Sequence, residues 1–305
     1  MSTALVTGSS TGIGYATALE LARGGYTVVA AMRNPSRAPE LNLQAEREAL
    51  PISVVAMDVN SDDSVARGFA EAERLCGPVE VLVNNAGIGH GGAVEDVSIA
   101  KFRDTMETNF FGALRCIKTV LPGMRTRRSG CIINVTSVAG RLASAAQSSY
   151  CSSKFALEAL SEVLAQEARL FGIRVAIVEP GVIATPIFDK GHSLYDSHYP
   201  GERRLYALFV ASLSAVQVPP SVVGTKILEI VQSGTTVLRH PAGPDAIPLL
   251  KRRQSMTDEE WIAANSIGDD ETWAAGIQQS LGIDVRPYLG RTPGGIVASG
   301  RTEAV

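Results

Sequence analysis

Tyr150 and Lys154 stand four residues apart in SSYCSSKFALEALSEVLAQEA, a stretch with the periodicity of a long helix. That spacing places a phenol and an ammonium on one helical face, one turn apart. A tyrosine of ordinary pKa, near 10, is too weak an acid–base group at neutral pH by about three units. A neighbouring ammonium favours the phenolate and lowers that value. Ser137, at the end of GCIINVTS, adds a hydroxyl that could hold a carbonyl oxygen. The expected division of labour is proton exchange by Tyr150, tuning by Lys154 and positioning of the substrate oxygen by Ser137.

A second group of residues suits a phosphate-bearing ligand. VTGSSTGIG carries Gly8, Gly12 and Gly14 between an apolar run and a helical segment. Such a turn can be a plain strand-to-helix connection. Its position also puts backbone N–H groups and the positive end of a helix dipole where a pyrophosphate could sit. After the second apolar run the chain reads AAMRNP, with Met32 where NAD-selective folds carry an acid and Arg33 next to it. Arginine presents a planar fork to a 2′-phosphate, and the missing acid removes repulsion. The alternative is a solvated arginine at a strand end. Asp58, after the third run, either accepts from an adenine amino group or caps the following helix.

These residues need elements to hold them. TALVTG, Tyr26–Ala31, Ile52–Met57, Val79–Val83, Cys131–Thr136 and Val175–Val178 are short apolar runs separated by helical patterns. That alternation predicts α/β architecture: one doubly wound parallel sheet with helices on both faces. TTVLR, Thr235–Arg239, is the expected edge strand. The stretch 185–220 is longer than an ordinary loop and mixes aromatic with charged residues, as a lid or binding loop would. Thr257 and Glu260 have capping-box spacing, predicting a short helix, and RPYLGRTPGGIVASGRTEAV reads as a mobile tail. The expected division is a catalytic domain over 1–250 and a partly mobile extension over 251–305.

Six motifs, TGSSTGIG, NNAG, NFFG, the Ser137 segment, YCSSK and PGVIAT, occur in the order and approximate spacing of the short-chain dehydrogenase/reductase family. The chain resembles that family over about its first 190 residues, and is most similar there to 17β-hydroxysteroid and retinol dehydrogenase-like members. The resemblance implies a single-domain Rossmann fold, a nicotinamide cofactor and a catalytic set of Asn109, Ser137, Tyr150 and Lys154. It implies cofactor contacts from Gly8, Ser10, Thr11, Gly12, Ile13 and Gly14, and from Arg33, Asp58, Val59, Asn85, Ala86 and Gly87. Pro180, Gly181 and Thr185 would meet the nicotinamide, with Tyr150 and Lys154, the latter on its ribose. Asn109 would hold a water in a proton relay. By the same analogy the chain would pair through the helices carrying Phe110–Leu121 and Ser152–Phe171, as a homodimer or homotetramer.

Composition removes other classes. With 305 residues, 45% hydrophobic and 19% charged, the chain reads as ordinary globular protein. A net charge of −3 gives no electrostatic reason to expect nucleic acid or an anionic membrane. Four cysteines without CxxC spacing, no basic leader and no apolar run of about 20 residues predict a cytoplasmic location and no membrane span. The four histidines lack metal-ligand spacing, so no metal is expected. Trp261 and Trp273 read as packing residues. The resulting expectation is an NADP(H)-dependent, rather than NAD(H)-dependent, oxidoreductase acting on a small, hydrophobic carbonyl or alcohol. The alternatives are a dinucleotide-binding regulatory protein and a non-redox lyase or epimerase.

Overall fold

Residues alternate faces along each strand, and in this chain both faces are apolar. Leu5, Val29, Leu82 and Ile132 point to one side of the sheet, while Ala4, Val6, Val28 and Ile133 point to the other. A strand apolar on both faces must be covered on both, and helices cover it. The structure, a computed structural model, describes residues 2–189 and 197–290.

The elements run β1 (Thr3–Thr7), α1 (Gly12–Arg23), β2 (Thr27–Met32), α2 (Glu40–Glu48), β3 (Ile52–Ala56), α3 (Asp62–Cys76) and β4 (Val79–Asn84). They continue with α4 (Ile99–Met106), α5 (Gly112–Arg127), β5 (Gly130–Val135), α6 (Ser148–Arg169) and β6 (Ile173–Pro180). Next come α7 (Gly201–Ala215), α8 (Ser221–Ser233), β7 (Arg239–Ala242), α9 (Ala246–Gln254), α10 (Asp258–Asn265) and α11 (Asp270–Leu281). Among the described residues the strands form one parallel sheet in the order β3-β2-β1-β4-β5-β6-β7. This is the expected doubly wound Rossmann fold. The direction of travel reverses between β1 and β4, and the crevice at such a switch point is where α/β folds bind ligands.

One face is packed by α1 and α8 through Leu19, Leu21, Val223, Ile227 and Ile230. The other is packed by α3, α5 and α6 through Phe69, Ile117, Met124 and Leu164. Burying an aliphatic side chain of this size contributes about 1.5–3 kcal/mol, so the two layers fix the sheet against which the site is built.

The last strand differs from the expected Thr235–Arg239. Pairing to β6 starts only at Arg239 and runs to Ala242. The physical reason is local: the Thr235 hydroxyl accepts from the Val237 N–H at 3.1 Å, and Ser233 Oγ accepts from the Thr235 N–H at 3.4 Å. Those bonds hold a turn where the ladder would have begun. Pro241 then sits on an edge strand, where its missing donor costs no ladder bond.

Within 185–220 the described residues give a 3₁₀ turn, Pro186–Asp189, and α7. The first ring after Thr185, Phe188, packs at a tilt against Phe209 of α7 with centroids 4.7 Å apart. Beyond β7, α10 opens with the capping box of Thr257 and Glu260. The helix α11 docks on α7, where Trp273, Ala274 and Val285 pack with Ala207 and Ala211. Arg204, almost fully buried, donates to Asp270 at 2.8 Å and to the Gly268 carbonyl at 3.0 Å. The start of the segment read as mobile is held: Arg286 bonds Glu271 and Gln278, and Tyr288 and Leu289 pack on the α7–α11 cluster. The rest of that segment, 291–305, lies outside the described residues. No described helix is long and apolar enough to cross a membrane.

Candidate active site

The glycine turn lies at the switch point and its glycines are required by contact. Gly8 and Gly12 have φ of +69° and +61°, a region L side chains rarely adopt. A Cβ on Gly14 would stand 2.4 Å from the Gly8 carbonyl oxygen and 2.4 Å from Asn85 Nδ2. One on Gly8 would stand 2.8 Å from Ala86 Cα. The turn after β1 and the NNAG segment after β4 are therefore pressed together. Thr7 locks them, its hydroxyl accepting from the Asn85 and Ala86 N–H groups at 3.0 Å each, while Asn85 Nδ2 donates to the Thr7 carbonyl at 2.8 Å. Thr11 caps α1 without any side-chain bond, so the first N–H groups of the helix face the turn with no capping oxygen. That uncapped helix start beside a cradle free of side chains fits the pyrophosphate of a nicotinamide dinucleotide. Ser10, Thr11 and Ile13 ride on the same turn.

At the next strand ends, the Ser9 N–H donates to the Ala31 carbonyl at 3.1 Å, which ties the turn to β2. Met32 closes β2 and is buried; Arg33 follows it, exposed and without an ion pair among the described residues. It stands free to meet an anion. Asp58 accepts from the Asn60 N–H at 3.1 Å in a tight turn. The cap of α3 is instead Ser61, whose hydroxyl accepts from the Ser64 N–H. Of the two readings of Asp58, helix capping is thus taken by another residue. Val59 is buried against Gly112, where a Cβ would come within 2.8 Å.

Ser137, Tyr150 and Lys154 converge beyond the carboxyl ends of β5 and β6. Ser137 neighbours the Tyr150 phenol, accepts from the Ala139 N–H at 3.1 Å and lies 3.4 Å from the Pro180 carbonyl. Tyr150 as a whole keeps some surface, yet burial around the phenol pushes its pKa up to about 12, the Ser137 hydroxyl pulling the other way. The Lys154 ammonium is almost fully buried and donates to the Val135 carbonyl at 3.0 Å. Burial draws its pKa down to about 8, against the opposing pull of Glu158 one turn further along α6. Its Nζ is 5.6 Å from the Tyr150 ring centroid. The expected lowering of the phenol by this lysine is not seen: burial raises the phenol, and the opposing pull comes from Ser137.

Asn109 lies in a π-helical turn, Glu107–Phe111, between α4 and α5, an irregularity common at functional sites. Its Oδ1 accepts from the Ile88 N–H at 2.8 Å, and its Nδ2 donates to the Ile88 carbonyl and to Ser153 Oγ, both at 2.9 Å. Both amide protons are used within the protein, so only Oδ1 retains capacity. A Cβ on Gly87 would lie 3.3 Å from that Oδ1 and 3.7 Å from Lys154 Nζ, which places Asn109, Lys154 and Gly87 around one point. The opposite wall is the segment after β6. Thr185 is buried, and a Cβ on Gly12 would stand 3.2 Å from its methyl. Pro180 and Gly181 precede it, and the Val182 N–H donates to Asp245 at 2.8 Å.

Several working residues escaped sequence reading. Thr7 and Ser153 are ordinary hydroxyls in sequence, and only the fold shows them bracing NNAG and Asn109. Glu158 accepts from Thr136 at 2.6 Å and from Arg239 at 3.0 Å behind Lys154. Its place four residues after Lys154 was a usable signal, since Tyr150, Lys154 and Glu158 share one helical face. Asp245 carried no signal.

Comparison with known proteins agrees with this geometry. The family model for short-chain dehydrogenases matches residues 2–193. Human retinol dehydrogenase 8 is 41% identical over 192 residues, covering 62% of this chain and 61% of that protein. A short-chain dehydrogenase from Streptomyces avermitilis superposes with a TM-score of 0.74 at 33% identity, over 83% of this chain and 92% of that one. An actinorhodin polyketide ketoreductase solved with NADPH gives 0.70 at 26% identity, over 79% and 95%.

Proposed function

This chain belongs to the short-chain dehydrogenase family, and we propose that it is an NADP(H)-dependent oxidoreductase interconverting a carbonyl and an alcohol on a hydrophobic small molecule. The observation that carries the proposal is the placing of the Tyr150 phenol beside Ser137 with the buried Lys154 ammonium 5.6 Å from its ring centroid, at the sheet edge that also holds the glycine turn. When bound, the nicotinamide supplies or accepts the hydride at the substrate carbon.

The protein's own residues do the rest. Ser137 and Tyr150 offer two hydroxyls to one substrate oxygen, and that bifurcated grip fixes the carbonyl plane. Tyr150, held protonated by burial, gives its proton to the developing alkoxide in the reducing direction. Oxidation runs the same transfer backwards, with the phenol receiving the proton. The Lys154 charge stabilises whichever partner is anionic at that moment, and Val135 keeps it from swinging away. Asn109 braces the Ile88 segment through its amide and leaves acceptor capacity on Oδ1 beside Gly87. Arg33, exposed and unpaired among the described residues, supports a 2′-phosphate and so NADP(H). The Phe188–Phe209 pair on the substrate side, and the likeness to a retinol dehydrogenase, favour an apolar substrate.

The test follows reduced-cofactor absorbance with purified protein against all-trans-retinal, a steroid 17-ketone and aryl ketones, and in reverse against the alcohols. Turnover with NADPH on at least one carbonyl is expected. Binding of NADPH without turnover of any would instead indicate a sensing protein, and product without net change in cofactor a lyase or epimerase.

A further inference from the structure

The connection from Ser137 to Tyr150 links the two hydroxyls of the site. Thirteen residues of mostly small side chains, SVAGRLASAAQSS, precede the tyrosine. Such a stretch has little side-chain mass with which to fix its own shape. It is held from outside at several points. At its start, Ser137 accepts from Ala139 and the Gly140 N–H donates back to Ser137 at 2.9 Å. At its end, the Ala146 carbonyl accepts from Gly92 at 2.9 Å, and Ser149 donates to the His90 carbonyl at 3.0 Å. The middle is held by the C-terminal extension: Trp261 Nε1 of α10 donates to the Ala143 carbonyl at 2.9 Å.

The rest of the extension supports that one bond. Leu250 and Ala246 of α9 are buried with Val138 and Leu142, and Leu249 and Trp261 pack on the same cluster. The indole lies under two guanidinium groups, Arg252 and Arg253, at 5.8 and 5.6 Å from its ring. Arg253 also pairs with Asp258 in the first turn of α10. The capping box of Thr257 and Glu260 starts that helix in the turn just before the tryptophan. Where α9 begins, Asp245 holds the Val182 N–H on the nicotinamide side. Residues 245–261 therefore grip both loops that flank the reaction centre.

We propose that the C-terminal extension is a working part of the site and that Trp261 is a positioning residue for the substrate wall, acting through Ala143. This rests on the carbonyl–alcohol reading above. Ser137 has its own anchors, so loosening Ala143 shifts the wall more than the catalytic hydroxyl, and substrate binding should suffer more than chemistry.

The experiment compares wild type with Trp261→Phe, which keeps a ring but removes the donor, and with Leu250→Ala, which weakens the same contact from α9. Amide hydrogen exchange over 138–149 is measured on the protein alone, and KM, kcat and NADPH affinity on whichever carbonyl of the panel wild type reduces. Loss of one neutral hydrogen bond predicts a KM rise of about 2- to 12-fold, kcat within twofold, unchanged NADPH affinity and faster exchange confined to 138–149. Unchanged exchange there in both variants, or an unchanged KM, overturns the proposal. So does exchange accelerated along the whole chain with NADPH affinity falling in step, which marks a purely structural residue. If wild type reduces nothing in the panel, the carbonyl reading fails, and the exchange result still decides whether Trp261 holds this wall.

Discussion

The ammonium of Lys154 donates to the carbonyl oxygen of Val135 at 3.0 Å, so the charge one helical turn from Tyr150 is anchored to the end of β5 and not to the phenol. That relationship separates two roles that sequence spacing merges. The lysine supplies a fixed positive charge at 5.6 Å from the ring centroid, while the Ser137 hydroxyl is the neighbour that draws the phenol pKa down.

Tyr150→Phe removes the transferable proton and keeps the ring packed. Turnover of the carbonyl should fall about 10²- to 10⁴-fold, the span for losing a general acid–base group, while NADPH affinity changes little. Steady-state kinetics with a fluorescence titration of NADPH would check this. Near-normal turnover would remove Tyr150 from the chemistry.

Burial lowers the Lys154 pKa from 10.5 to about 8. In that window the unfolded chain binds more protons than the folded one, so stability rises with pH. Tyr150, raised from 10.0 to about 12, binds its proton more tightly when folded and acts oppositely above pH 10. Between pH 8 and 10 wild type should therefore gain roughly 2 kcal/mol relative to Lys154→Met. Denaturant unfolding of both proteins at a series of pH values measures the difference, and parallel curves would refute it.

Gly14→Ala places a methyl 2.4 Å from the Gly8 carbonyl oxygen, a backbone atom that cannot swing away. Overpacking of this kind costs about 1–3 kcal/mol, and here the relief must come from the turn itself. The variant should melt at lower temperature and lose about 5- to 140-fold in NADPH affinity, by conversion at 1.4 kcal/mol per decade. Wild-type binding in that variant would mean the turn does not meet the cofactor.

A charge-assisted hydrogen bond to phosphate contributes about 1.5–3 kcal/mol, or roughly 10- to 150-fold. Arg33 should confer a preference of that size for NADP(H) over NAD(H), shrinking with added salt because the group is exposed. Met32→Asp with Arg33→Ala should reverse it, since an acid at the end of β2 accepts a ribose 2′-OH and repels a phosphate. The measurement is the ratio of kcat/KM for the two cofactors. A wild type that prefers NAD(H) would refute the role of Arg33 and leave Tyr150 untouched.

Much of this protein is decided by local pattern. Short continuous apolar runs between helical segments are enough to specify a parallel sheet covered on both faces, because strands apolar on both sides have no other stable arrangement. Gly14, Ser137, Tyr150 and Lys154 were legible because each chemistry demands a residue type at a spacing. Tertiary structure alone decided what depends on neighbours distant in the chain. The direction of the Tyr150 and Lys154 shifts came from desolvation, which no spacing reports. The strand at Arg239–Ala242 moved because hydroxyls of Ser233 and Thr235 captured backbone donors first. Trp261 reads as a packing residue until the fold carries it 118 residues back along the chain to the Ala143 carbonyl. Hydrogen bonds and burial are set by packing in three dimensions, and a linear pattern carries only the part of packing that repeats.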